Sequence, residues 1–97
     1  MIRAIVLNTN DNVGTLVDAA KKGDVVSLTG DVNEAVTLVE SIEFGHKLAI
    51  RTIDHGGQII KYGKVIGQAV KAIKIGEHVH THNVDALRAR GDKKEPL

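Results

Sequence analysis

The segment His78-Val79-His80-Thr81-His82-Asn83 gathers three imidazoles and a carboxamide into one short stretch. Its neighbours are branched and apolar, so it reads as extended. Side chains alternate along a strand, which puts His78, His80 and His82 on one face with neighbours ~7 Å apart. Two imidazoles at that spacing can converge on one ion. Three on a straight strand span ~13 Å and cannot, so a bend at the strand end is required before all three act together. The alternative is a solvated strand face whose histidines make local hydrogen bonds. Histidine titrates near neutral pH and is costly to bury, so a cluster points toward a ligand set or an acid/base site.

Two further constellations suit an organic acid. Gly45-His46-Lys47 sets an imidazole, able to take or give a proton, beside a point cation at the entrance to a strand. Lys61-Tyr62-Gly63-Lys64 flanks a phenol with two ammonium groups. Each also has a plain structural reading, an exposed loop pair for the first and a basic turn with the Tyr62 ring packed on the core for the second. His55, in Asp54-His55-Gly56-Gly57, reads as a turn residue. The chain contains no phosphate-binding Gly loop, dinucleotide fingerprint, nucleophile elbow or His-Glu-x-x-His metal helix. No complete catalytic constellation can be assembled from these residues alone.

The elements that must carry these groups are short. Ile2 to Leu7 reads as a strand and Asn8 to Asn12 as a turn. The spacing of Val13, Leu16, Val17 and Ala20 predicts one short helix from Val13 to Lys22, capped by Asp11 or Asn12 and stopped by Gly23. Branched runs then predict strands over 25–29, 35–39, 47–53, 58–62, 65–70 and 77–84, with 54–57 as a hairpin connection. The expected fold class is mostly β with one short helix. Residues 1–86 are expected to form one domain and 87–97 a charged, flexible tail. No internal repeat is evident.

Composition narrows the function further. At 97 residues with net charge +1, from 13 basic and 12 acidic residues, the chain has no electrostatic footprint for nucleic acid. Phe44 and Tyr62 are its only aromatic rings besides histidine, so a base-stacking platform is absent. Zero cysteines exclude thiolate chemistry and cysteine-held metals. No apolar run reaches the ~18 residues of a membrane span and no secretory signal opens the chain, so a cytoplasmic location and no membrane partner are expected.

Three ordered motifs carry a family likeness: Gly45-His46-Lys47-Leu48-Ala49, Ile60-Lys61-Tyr62-Gly63-Lys64-Val65-Ile66-Gly67, and Gly76-Glu77-His78-Val79-His80-Thr81-His82-Asn83. Together they resemble the SAF-type domain of altronate and galactarate dehydratases, and the likeness runs from about Asp11 to Asp92. It implies a β-clip fold, elimination of water from a sugar acid, and iron, manganese or another divalent metal in the complete enzyme. His46, Lys47, Lys61, Tyr62, Gly63, His80, His82 and Asn83 fall on motif positions, whereas His78 looks like an addition at a variable site. On this likeness His46 is the catalytic candidate. Lys47, Lys61, Tyr62 and Asn83 would contact substrate, and His80 and His82 would contact metal.

The family's large catalytic domain does not follow Asp92, so the resemblance implies the small subunit of a two-chain dehydratase with a large catalytic partner. Self-association before meeting that partner is open. A neighbouring branch eliminates sulfite from sulfolactate with the same pairing. A non-catalytic module that binds sugar acids, and a purely structural docking domain, are the competing expectations.

Overall fold

The computed structural model describes residues 1–86. The tail expected over 87–97 lies outside the described residues. Branched residues form β1 (Ile2–Val6), β2 (Val13–Leu16), β3 (Val25–Gly30), β4 (Ala35–Thr37), β5 (Lys47–Ala49), β6 (Gln58–Lys61), β7 (Lys64–Ala69), β8 (His78–Val79) and β9 (Val84–Ala86). One sheet runs β4-β3-β1-β2-β5-β8 and a second runs β6-β7-β9. Among the described residues there is no helix, so none is long and apolar enough to cross a membrane.

The expected helix over Val13–Lys22 is therefore wrong. Val13 and Leu16 lie in β2, which is antiparallel both to β1 (Ala4↔Leu16) and to β5 (Val13↔Ala49). Val13, Leu16 and Ala20 are buried, as the helical spacing required, but by strand pairing and by an isolated bridge from Ala20 to Ile42. A helix of that length is marginal alone, and Gly14, Thr15 and Val17 weaken it further. Gly14 instead permits close approach, since a Cβ there would meet Val6 Cγ2 at 3.1 Å.

A repeated device also emerges that the sequence reading missed. The turns Lys21–Asp24, Glu43–His46, Asp54–Gly57 and Lys74–Glu77 each close with an N–H from the fourth residue to the first carbonyl, at 2.9, 3.1, 2.8 and 3.1 Å. In each the third residue is glycine, with φ of 91, 81, 86 and 89°, a conformation that strains any side-chain-bearing residue. A buried apolar residue, Ala20, Ile42, Ile53 or Ile73, precedes each turn.

The turns interlock in pairs. Gly23 N–H donates to Leu38 C=O while Leu38 N–H donates to Asp24 C=O, and Gly45, His46 and Leu16 repeat that clasp in return. Gly56-Gly57 clasps Ala69, and Gly76-Glu77 clasps Ala49, in the same reciprocal way. The repeated unit, apolar-charged-x-Gly, is too short to stand out as a sequence repeat.

Two cores result. One joins Ala4, Val6, Leu28, Leu38, Leu48 and Ile50, and the other joins Val13, Ala49, Ile59, Ile73, Val79 and Val84. Strand β5 serves both because alternate side chains point to opposite faces. Leu48 enters the first core and Ala49 the second, which leaves β5 buried along its whole length, Lys47 included.

The hairpin between β6 and β7 turns at Tyr62 and Gly63, both with positive φ (55 and 75°). This two-residue pattern favours Asn-Gly, and tyrosine is strained there. Buried Asp11 holds it, accepting the N–H groups of Tyr62 at 2.9 Å and Gly63 at 2.8 Å. Asp11→Ala is expected to destabilise the domain by ~2 kcal/mol, since charge-assisted hydrogen bonds are lost. A urea-denaturation difference below ~0.5 kcal/mol would show that the turn holds itself.

Candidate functional site

The register of β5 and β8 assembles the histidines. Lys47 lies opposite Val79 and Leu48 opposite His78, so one step outward sets His46 across from His80. Their rings stack with centroids 4.5 Å apart. His78 lies 5.0 Å from His46 and 5.3 Å from His80 by the same measure, and His46 Nδ1 stands 2.9 Å from His78 Nε2. The bend required at the strand end is present, because a turn closed by Asn83 N–H to His80 C=O (3.1 Å) follows β8. It returns His82 to within 5.2 Å of the His78 ring, tilted by 43°.

Ligand nitrogens of His46, His78 and His80 lie within 4.8 Å of one another. His82 is not in that group. The two constellations read separately from the sequence are thus one site, and His78, treated as variable, sits in its middle. Only knowledge of the β5–β8 pairing joins residues so far apart along the chain.

Each part of the site is pinned from below. Asn83 is 1% exposed; its Oδ1 accepts the His80 N–H at 3.0 Å and its Nδ2 donates to His78 C=O at 2.8 Å. The carboxamide expected to contact substrate therefore lies under the histidine loop and is engaged at both ends. Glu40 Oε2 accepts the His78 N–H at 3.0 Å. His46 ends its turn with its carbonyl held by Leu16 N–H at 2.9 Å.

Burial lowers the His78 pKa below its ordinary value, with His46, His82 and His80 adding to the shift and Glu40 opposing it. Burial also lowers His80, followed by His46, Lys47 and His82, while Glu43 opposes. His78 and His80 thus favour the neutral form. Linkage then fixes a sign: a depressed pKa means the unfolded chain takes up protons first as pH falls. This contribution to stability is complete above the ordinary value of 6.5 and is lost progressively below it. The metal-free chain is expected to hold a constant Tm from about pH 8 to 7 and to lose Tm below about pH 6.5. In the H78N/H80N variant that acid limb should flatten; an unchanged limb would place the titration elsewhere.

On the other side of β5, Lys47 is only 6% exposed. Burial lowers its pKa, and the neighbouring Lys61 ammonium lowers it further. Lys61 Nζ lies 4.7 Å from the centroid of the Tyr62 ring, which is half exposed. Lys61 therefore lies against Tyr62, and Lys47 feels the charge of Lys61 while its own charge is felt by His80. Among the described residues, the Arg51–Glu34 ion pair at 3.0 Å takes up neither lysine. The arrangement suits a carboxylate against the lysines and a polar reacting centre, or a divalent ion, against the imidazoles.

Comparison with known proteins gives this geometry a context. The family described as altronate/galactarate dehydratase SAF domain matches residues 2–87. The chain is 39% identical over 79 residues to altronate dehydratase of Escherichia coli, covering 81% of this chain and 15% of that enzyme. It is 35% identical over 79 residues to altronate dehydratase of Bacillus subtilis, again covering 15% of the enzyme. It is 35% identical over 88 residues to (2R)-sulfolactate sulfo-lyase subunit alpha of Chromohalobacter salexigens, covering 87% of this chain and 94% of that subunit.

Proposed function

This chain belongs to the altronate/galactarate dehydratase SAF-domain family, whose relatives here are lyases, and we propose that it is the small subunit of a sugar-acid dehydratase. A larger catalytic subunit would complete the enzyme. The observation that carries the reading is the stacking of His46, His78 and His80 at one strand end, with the buried Lys47 directly following His46 in the chain. The near-complete span of a separately named alpha subunit supports the division into two chains.

In this reading Lys47 and Lys61 face the substrate carboxylate. Their charge helps most when negative charge builds beside that group, as it does when the neighbouring carbon loses its proton. The imidazoles face the departing group and can hold a proton for it. A divalent metal, iron or manganese, would belong to the complete enzyme and would supply Lewis-acid polarisation of substrate oxygen; the ligand nitrogens of His46, His78 and His80, within 4.8 Å of one another, fit such a group. Elimination of sulfite from sulfolactate is the second reading, favoured by the match to the alpha subunit.

The test is co-expression with a large-subunit homologue, followed by anaerobic assay of altronate, galactarate and sulfolactate with added ferrous or manganous ion. Turnover only with both chains present is expected, and the active substrate decides between the two readings. Association without turnover of any of the three, or no association, would move the assignment to a non-catalytic sugar-acid binding module.

A further inference from the structure

We infer that this chain by itself holds one first-row divalent metal ion through His46, His78 and His80, and that the ion presents open positions to the carboxylate and hydroxyl oxygens of a hydroxy acid. This deepens the lyase reading by placing its metal on this subunit. It also departs from the pair His80 and His82 suggested by the family likeness.

The geometry carries the assignment. Metal–imidazole bonds of ~2.1 Å place two ligand nitrogens at right angles on an ion ~3.0 Å apart. His46 Nδ1 and His78 Nε2 stand 2.9 Å apart, and the His80 donor lies within the same 4.8 Å group. The three rings are stacked with 11–23° between their planes, so they must turn about their side-chain bonds for all three lone pairs to meet one ion. The three ligands also approach from separately fixed backbone: His46 from the turn clasped to Leu16, His78 from β8 with its N–H on Glu40, and His80 from the turn held by Asn83. Such fixing of ligand-bearing backbone is what separates a site from a mere group of imidazoles.

Chemistry points the same way. Metal binding requires neutral imidazole, so affinity should fall as pH drops. Imidazole donors suit iron, cobalt, nickel, copper and zinc, with affinity rising toward copper. Three protein ligands leave positions on a five- or six-coordinate ion for oxygen donors, and an α-hydroxy acid offers two in chelating geometry. His82 rests over His78 outside the donor group, so it is dispensable for binding the ion.

The experiment uses the full chain stripped with EDTA and titrated with cobalt(II) at pH 7.5, followed by calorimetry and by the visible absorption of the ion. One ion per chain is expected. H46N, H78N and H80N should each weaken binding by at least ~10-fold, the lower end of losses seen even for outer-shell changes; H82N should stay within about threefold. Adding altronate should shift the cobalt band.

Because a variant can fail to fold, modification of the wild type by diethyl pyrocarbonate gives a second readout. Cobalt should protect His46, His78 and His80 while leaving His82 and His55 reactive. No saturable binding, or equal dependence on His82, would overturn the assignment, and an unmoved band would overturn the substrate chelate. None of these readouts needs turnover, so failure of the site and failure of the lyase reading remain distinguishable.

Discussion

Replacing His46 with alanine is expected to lower turnover by the proposed two-subunit enzyme, once reconstituted, by about 10²–10³-fold, the range typical of a lost acid/base or ligand group. Its ring is stacked against His80 and within hydrogen-bond distance of His78, so its loss removes a partner from both while the turn that carries it stays closed through the backbone. The fold should therefore survive, and association with the large subunit should be unchanged. The loss should fall on kcat more than on KM, because in the proposed role Lys47 and Lys61 would still hold the carboxylate. Added divalent ion should restore part of the rate if His46 acts as a ligand and none if it transfers a proton. Turnover within threefold of wild type would remove His46 from the site altogether.

What the sequence disclosed of this site, and what it hid, follows the range of the interactions. Branched runs over 25–29 and 65–70 located β3 and β7 to within a residue, because strand preference there is a property of the local sequence. The same reasoning misread Val13 to Lys22, where spacings of three and four residues fit a helix as well as a strand leading to a bridge at Ala20. Only the flanking partners β1 and β5 decide between them. Likewise His46 and His80 were each singled out, yet their stacking depends on pairing between strands about thirty residues apart in the chain. Asp11, read as a cap, Asn83, read as a substrate contact, and Glu40, given no role, turn out to hold backbone in place. Sequence motifs mark such residues together with the reacting ones and cannot tell the two apart.

Asn83 is where that distinction can be measured. Asn83→Ala is expected to destabilise the domain by ~3 kcal/mol, since two hydrogen bonds are lost and the His80 N–H and His78 C=O are left without them. On a domain of this size that corresponds to a fall of roughly 15 °C in Tm. The side chain is 1% exposed and closes both ends of the loop from His78 to Asn83, whereas the backbone bond from Val70 N–H to Asn83 C=O at 2.9 Å is untouched by the change. Asn83→Asp keeps the acceptor for His80 but sets an oxygen against His78 C=O, so it should be no better than alanine. Removing the neighbouring His82 ring, which holds no backbone in place, should by contrast leave Tm within about 3 °C. If Asn83→Ala melts as wild type but the complete enzyme loses its hold on the sugar acid, Asn83 contacts substrate after all. If both stability and cobalt binding collapse together, the carboxamide is the support on which the histidine site stands, and its place in the motif reflects folding of the loop rather than contact with the ligand.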